Sequence, residues 1–242
     1  MTMSCTECPL RALDCFVPMS EKDVEAMERF KVGELSIDKK TSFIAEGSTS
    51  PHLYTVLGGM GIRYKLLPDG QRQVINLIFP GDFIGLQGEL LGEMQHSAET
   101  STDMTLCIFD RGELWSFFRS NPERAYHLTW LAAIEEHFLG AALATVGQKT
   151  ARERLAWALA RSMRRGAALG LVMGHRMTFP FRQQDIADAL GLSLVHTNKT
   201  LARFREEGLA EWRDDLLSVP DRARLEDIAL IDEPAVTRRP LM

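Results

Sequence analysis

Gln183-Gln184-Asp185-Ile186-Ala187-Asp188-Ala189-Leu190-Gly191-Leu192-Ser193-Leu194-Val195-His196-Thr197-Asn198-Lys199-Thr200-Leu201-Ala202-Arg203-Phe204 is the segment on which the architecture turns. Ile186, Ala187, Ala189 and Leu190 have helical apolar spacing, and Gly191 breaks it. Ser193 caps a second helix running from 194 to about 207, which Gly208 ends. Two helices joined by a short turn with glycine form a helix-turn-helix motif. Ala187 suits the close crossing of the two helices, while Leu192, Leu201 and Phe204 face a small core. Residues 209–212, a turn at Asp214-Asp215 and residues 216–219 predict a two-stranded wing. In such a motif the second helix enters the major groove with its early, exposed residues on base edges. Those are Val195, His196, Asn198 and Lys199, with Ser193 and Arg203 better placed for phosphate. Asn suits adenine, Lys guanine, and Val195 only a thymine methyl. Each residue alone is equally an ordinary solvated helix position. Turn, wing and the preceding basic helix together point to double-stranded DNA.

Upstream, a helix from about 150 to 165 carries Arg152, Arg154, Arg161, Arg164 and Arg165 beside Leu155, Ala156 and Leu159. Before it, Asn121-Pro122-Glu123 supplies a cap, a first-turn proline and a first-turn acid. The helix they start runs to about Gly147, roughly 25 residues and roughly 37 Å. One apolar stripe is Leu131, Ile134, Phe138, Ala141 and Thr145; a second is Leu128, Ala132, Leu139, Leu143 and Val146. Two stripes fit a helix that packs on its own domain and on a partner copy, with the first stripe assigned to dimerisation. A fully buried core helix has the same periodicity.

Nearer the start, Ser20 caps a short helix over 21–30 with Val24, Met27 and Phe30 on one face. Short apolar runs follow at 42–45, 53–57, 61–67, 73–79 and 104–109, separated by Gly47, Gly58-Gly59, Pro68-Asp69-Gly70 and Pro80-Gly81-Asp82. This spacing predicts an antiparallel sandwich or small barrel. The expected class is α+β, divided into a cysteine-bearing arm (1–20), a β-roll (21–120), the long helix (121–147), a winged helix-turn-helix (148–222) and a tail (223–242).

The 242 residues carry a formal charge of −5, which for the whole chain argues against nucleic acid. Residues 1–145 hold 12 basic and 20 acidic side chains, or −8, whereas 146–242 hold 16 and 13, or +3. The sign change fits a sensing half followed by one that can approach phosphate. No stretch approaches a membrane span, and the first twenty residues lack a signal-peptide pattern, so a cytoplasmic protein without membrane association is expected. A chain this long needs no disulfides, and thiols stay reduced in that compartment. Cys5, Cys8, Cys15 and Cys107 are therefore expected to bind metal or sense redox state.

Over nearly its whole length the chain resembles the Crp/Fnr family of bacterial transcription regulators. The resemblance rests on the Gly-rich roll, Phe79-Pro80-Gly81-Asp82-Phe83-Ile84-Gly85, the long helix after Asn121-Pro122, and the segment from Gln184 to Phe204. It implies a jelly-roll sensor domain like that of cyclic-nucleotide-binding proteins, a dimerisation helix and a winged helix-turn-helix. It also implies a homodimer on palindromic promoter sites that works with RNA polymerase. In the cAMP-binding branch a Glu holds the ribose and an Arg-Ser pair the cyclic phosphate. Here Leu86 and His96-Ser97 stand at those positions, so cAMP lacks its charge partner and no cAMP response is expected. In the oxygen-sensing branch three arm cysteines and a fourth in the roll hold a 4Fe-4S cluster. Cys5-x2-Cys8-x6-Cys15, with Cys107 in Met-Thr-Leu-Cys-Ile-Phe, resembles that set. Alternatives that remain are a zinc or thiol switch and a small-molecule effector in the roll. Val195 and Asn198-Lys199 replace that branch's Glu and Ser-Arg contacts, so its operator sequence does not carry over. A cupin-type enzyme is disfavoured, because the six histidines form no H-x-H or H-x3-H pair in a strand region.

Overall fold

The computed structural model describes residues 2–231 and 238–242, apart from the side chain of Glu89. The chain divides into two units. One comprises residues up to Leu66, Ile75–Glu136 and Arg238–Met242; the other comprises Leu67–Val74 and the chain from His137.

In the first unit, helix α1 (Glu21–Phe30) starts at a capping box. Ser20 Oγ accepts from the Asp23 N–H, and Asp23 Oδ2 accepts from the Ser20 N–H. Eight strands follow: β1 (Lys31–Ile37), β2 (Ser42–Ile44), β3 (His52–Gly58), β4 (Gly61–Leu66), β5 (Arg72–Ile78), β6 (Phe83–Ile84), β7 (Ser97–Thr100) and β8 (Met104–Asp110). They form two four-stranded sheets, ordered β1-β8-β3-β6 and β2-β7-β4-β5. This is the expected roll. Strands β1, β6 and β7 escaped the sequence reading, as did helix α2 (Leu86–Leu91), because their short or mixed runs carry little period-2 signal.

Alternation along β8 decides what lies where. Met104, Leu106 and Ile108 pack in the roll interior with Ile37, Val56, Ile78 and Met94. Cys107 and Phe109 belong to the opposite face, packed with Met27, Phe30 and Leu53. Phe30 stacks on Phe109 at 5.1 Å and on Phe117 at 4.2 Å. Phe117 lies on α3 (Leu114–Ser120), which precedes the long helix α4 (Pro122–Gln148).

Asn121 and Pro122 start α4 as read from the sequence, and nothing interrupts it before Gln148. The stripe assigned to dimerisation is largely committed within the chain. Leu131, Phe138 and Thr145 are buried, Ala141 is half-buried, and Ile134 alone is exposed. Phe138 lies parallel to Trp157 at 6.1 Å and under the Arg161 guanidinium at 4.5 Å. On the second stripe, Leu139 is 41% and Leu143 74% exposed. Of the two stripes, the second therefore offers the larger free apolar face.

In the second unit, α5 (Ala151–Ala168) buries Leu155, Ala156 and Leu159. A four-stranded sheet follows, ordered β11-β12-β10-β9, with β9 (Val172–Met173), β10 (Arg176–Thr178), β11 (Glu211–Arg213) and β12 (Leu216–Ser218). The wing is its β11–β12 hairpin, turned by Asp214 and Asp215 at φ +48° and +58°, the left-handed pair that a two-residue hairpin turn needs. The stretch 223–242, read as a tail, is not one element. Asp221 caps helix α8 (Arg222–Ala229), which packs on α5 through a two-pronged Arg164–Glu226 ion pair at 2.7 Å. Residues 232–237 of that stretch lie outside the described residues.

Candidate DNA-reading helix and cysteine cavity

Helices α6 (Gln183–Leu190) and α7 (Leu194–Glu206) bracket Gly191, whose φ of +62° is the left-handed turn that glycine adopts without strain. Ala187 is fully buried, and Ile186, Leu190, Leu201 and Phe204 are buried as well. Ser193 Oγ accepts from the His196 N–H at 3.2 Å. That bond uses only acceptor capacity, so the hydroxyl hydrogen remains able to donate to a phosphate at the helix start. Ser193, Val195, His196, Asn198, Lys199 and Arg203 are all exposed, while Thr197, Thr200, Leu201 and Phe204 are buried. The structure thus gathers all six predicted contact residues on the open side of α7. Lys199 and Arg203 make no ion pair among the described residues. Arg152, by contrast, is tied to Glu207 by two hydrogen bonds of 2.7 and 2.5 Å.

Helix α6 is held by a residue more than a hundred positions upstream. Arg72, in the hairpin segment assigned to this unit, reaches Asp185 Oδ1 at 2.5 Å and donates through Nε to Asp188 Oδ2 at 2.8 Å. Gln73 Nε2 donates to the Ala189 carbonyl at 3.3 Å. Asp185, 2% exposed, also accepts from Arg182. A basic residue two positions after Gly70 carries no sequence signal for this pairing, since its partners lie more than a hundred positions away.

In the first unit the arm folds into two short turns, Cys5–Glu7 and Pro9–Ala12. Glu28 Oε2 accepts the Cys5 N–H, and Arg11 Nη1 donates to the carbonyls of Cys5 and Thr6 at 3.0 Å. Lys31 Nζ donates to the Met3 carbonyl and to Glu34. Glu34, Cys107 and Thr55 are cross-strand neighbours on β1, β8 and β3. Cys5, Cys8 and Cys107 consequently line one cavity with Arg11, Met27 and Thr55, although Cys107 is far from the arm in sequence. Cys15 is buried elsewhere on the arm and is not among the lining residues. Burial, then the adjoining Glu28, pushes the Cys5 thiol up to about 12. Burial likewise pushes Cys107 up to about 11. Both are neutral thiols near pH 7.

As a donor set these residues fit a thiolate-bound metal or cluster. The buried Nε of Arg11 has no hydrogen-bond partner among the described residues and would suit an anionic sulfur group. Space is the mismatch. The cavity measures about 30 Å³, room for roughly two water-sized spheres, and Leu241 and Met242 form part of its wall. Among the described residues no set of three His, Cys, Asp or Glu side chains is already arranged to hold a metal ion.

At the position compared with the cyclic-phosphate site, His96 is 4% exposed, and its Nδ1 donates to Gln87 Oε1 at 2.7 Å. Burial, with Arg63 next, lowers its pKa to about 4, so it is neutral near pH 7. Ser97 Oγ accepts the Glu46 N–H.

Comparison with known proteins agrees with both units. Residues 153–228 match the Crp-like helix-turn-helix domain, and residues 34–121 the cyclic nucleotide-binding domain. The nitrogen fixation regulation protein FixK of Rhizobium meliloti is 32% identical over 172 residues, covering 70% of this chain and 74% of that protein. Transcriptional activatory protein AadR of Rhodopseudomonas palustris is 29% identical over 222 residues, 92% of this chain and 89% of that one. The solved structure of FixK2 from Bradyrhizobium japonicum superposes with a TM-score of 0.73 at 27% identity, over 83% of this chain and 98% of that one. The α7 geometry, the roll and these relatives together make the chain a DNA-binding transcription regulator, not an enzyme, and a member of the Crp/Fnr family.

Proposed function

We propose that this regulator is a cytoplasmic homodimeric transcription activator whose DNA binding is controlled by an oxygen-labile iron–sulfur cluster. Its DNA target is a palindromic promoter site, and it acts there with RNA polymerase. The observation that carries the cluster is the convergence of Cys5 and Cys8 of the arm and Cys107 of β8 on one cavity. Cys15, seven residues beyond Cys8 on the same arm, is the candidate fourth ligand. When bound, the group would supply an oxidisable, oxygen-labile link between arm and β8. The chain's own residues do the rest: Glu28 and Lys31 hold the arm to the roll, and Arg11 offers its spare N–H to anionic sulfur. A direct thiol switch is less well supported, since Cys5 and Cys107 are half-buried thiols whose pKa values are raised rather than lowered. A cyclic nucleotide is disfavoured as well, because neutral His96 offers a cyclic phosphate no positive charge.

The partner-facing stripe is assigned to Leu139 and Leu143, and the reading face to Ser193, Val195, His196, Asn198, Lys199 and Arg203. The deciding experiment is anaerobic purification of the full chain. Brown protein with near-stoichiometric iron and acid-labile sulfide, bleached by air, is the expected result. Colourless, iron-free protein would overturn the cluster.

A further inference from the structure

Residues 238–242 return to the first unit and lie along its cysteine arm. The Arg239 N–H donates to the Cys15 carbonyl and its carbonyl accepts from the Val17 N–H, each at 2.9 Å, forming a parallel bridge with Phe16. Arg238 Nε donates to the Asp14 carbonyl at 3.0 Å, and Arg239 Nη2 to Asp82 at 3.3 Å. Past Pro240, the buried Arg124 donates to the Leu241 carbonyl at 3.2 Å, and Thr55 Oγ1 donates to the Met242 carbonyl. Leu241 and Met242 are 5% and 4% exposed. Met242 belongs to the core cluster of Met27, Phe30 and Phe109, with Cys5 and Cys107 packed against that cluster. A five-residue stretch without regular structure stays ordered only if its backbone groups are paired and its apolar side chains covered, and here both hold.

We propose that the groove between the arm and β8 is a peptide-docking site whose resident ligand is residues 238–242, and that docking of this segment and ligation of the thiols exclude one another. The chemistry it selects is legible in Arg238-Arg239-Pro240-Leu241-Met242: one guanidinium for the Asp14 carbonyl and one for the Asp82 carboxylate at the rim, then two apolar side chains for the thiol cavity. With Met242 and Leu241 in place the cavity is too small for an iron–sulfur cube, so a group held by Cys5, Cys8 and Cys107 must displace them. Docking stands on its own contacts; only the identity of the thiol ligand rests on the iron–sulfur reading.

The test uses reduced, metal-free protein, so its failure is separate from a failure to find iron. Alkylation of Cys5 and Cys107 by iodoacetamide is followed by mass spectrometry in the full chain and in a chain lacking residues 238–242. Removal should accelerate alkylation at least tenfold, and an added peptide of sequence Arg-Arg-Pro-Leu-Met should restore protection at saturating concentration. Arg239→Ala in the full chain should give an intermediate rate. Equal rates with and without the segment overturn the proposal. So does acceleration that the peptide cannot reverse, which is the signature of a chain that has merely lost its fold.

Discussion

Lys199 and Arg203 sit one turn apart on the open face of α7, neither drawn into an ion pair among the described residues, and their roles separate experimentally. Lys199→Ala should relax base preference at one position of each half-site, a loss of about 1–3 kcal/mol in discrimination, read by binding to a set of single-base operator variants. A uniform loss across all variants would instead make Lys199 a phosphate contact. His96 carries a second prediction at this scale. Its pKa falls from 6.5 to about 4 on folding, so the unfolded chain binds the proton first. The stability it contributes is complete above about pH 6.5 and is lost as pH falls towards 4, by at most about 3 kcal/mol. Urea titrations of the native chain and of His96→Gln from pH 7.5 to 4 should show a shallower pH dependence in the variant; parallel curves would mean that His96 is not the group responsible. Both residues were visible in the sequence, Lys199 through its place after a cap and a turn. The protonation state of His96 was not, because burial depends on strands brought together by the fold.

Helix α4 was legible in its start and length, but its faces were not. Both stripes satisfy the same periodicity, and only the packing of α5 shows which one is already taken: Trp157 and Arg161 cover Phe138. Phe138→Ala should therefore cost about 3–5 kcal/mol of chain stability, seen as a lowered urea midpoint. Leu143→Asp, at a 74% exposed position, should leave that midpoint nearly unchanged while shifting the protein towards monomer in sedimentation velocity. If the two outcomes were exchanged, the partner-facing stripe would be the one first read from the sequence. The same contrast explains α8 and strands β9 and β10. Helix α8 was hidden inside the stretch read as a tail, and its cap shows only in the structure, where the Asp221 carboxylate accepts the Arg224 N–H at 3.0 Å; strands of two and three residues carry too few alternations to register. Helix α6 depends on a distant residue. Arg72→Ala would strip the 2% exposed Asp185 of the Arg72 cation while leaving it Arg182, and a loss of about 1.5–3 kcal/mol, that of a charged hydrogen bond, is expected from the melting of the helix-turn-helix unit. Arg72→Lys should restore part of it, since a lysine keeps the charge but cannot serve both carboxylates with a planar fork.

At the scale of the whole molecule, the formal charge of −5 misleads because it averages an acidic first part with a basic second one. The split was readable by counting. The convergence of the arm, β8 and residues 238–242 was not, since no local pattern tells Leu241-Met242 from any other apolar pair. The net charge nevertheless makes a measurable statement about assembly on DNA. Each phosphate contact neutralised on a duplex contributes about 0.9 to the slope of log affinity against log salt. Arg203 is exposed on α7 beside the reading face, so in a two-fold dimer on a palindrome it is counted twice. Arg203→Ala should reduce the slope by about 2 for a dimer engaging both half-sites, and by about 1 for a single chain on one half-site. Fluorescence anisotropy with the full operator and with an isolated half-site, each across a salt series, separates the two cases. The variant should also weaken binding by a similar factor on every base-substituted operator, because a phosphate contact carries no base preference. A slope unchanged within error on both DNAs would remove Arg203 from the phosphate contacts and, with it, the orientation assigned to α7 in the groove.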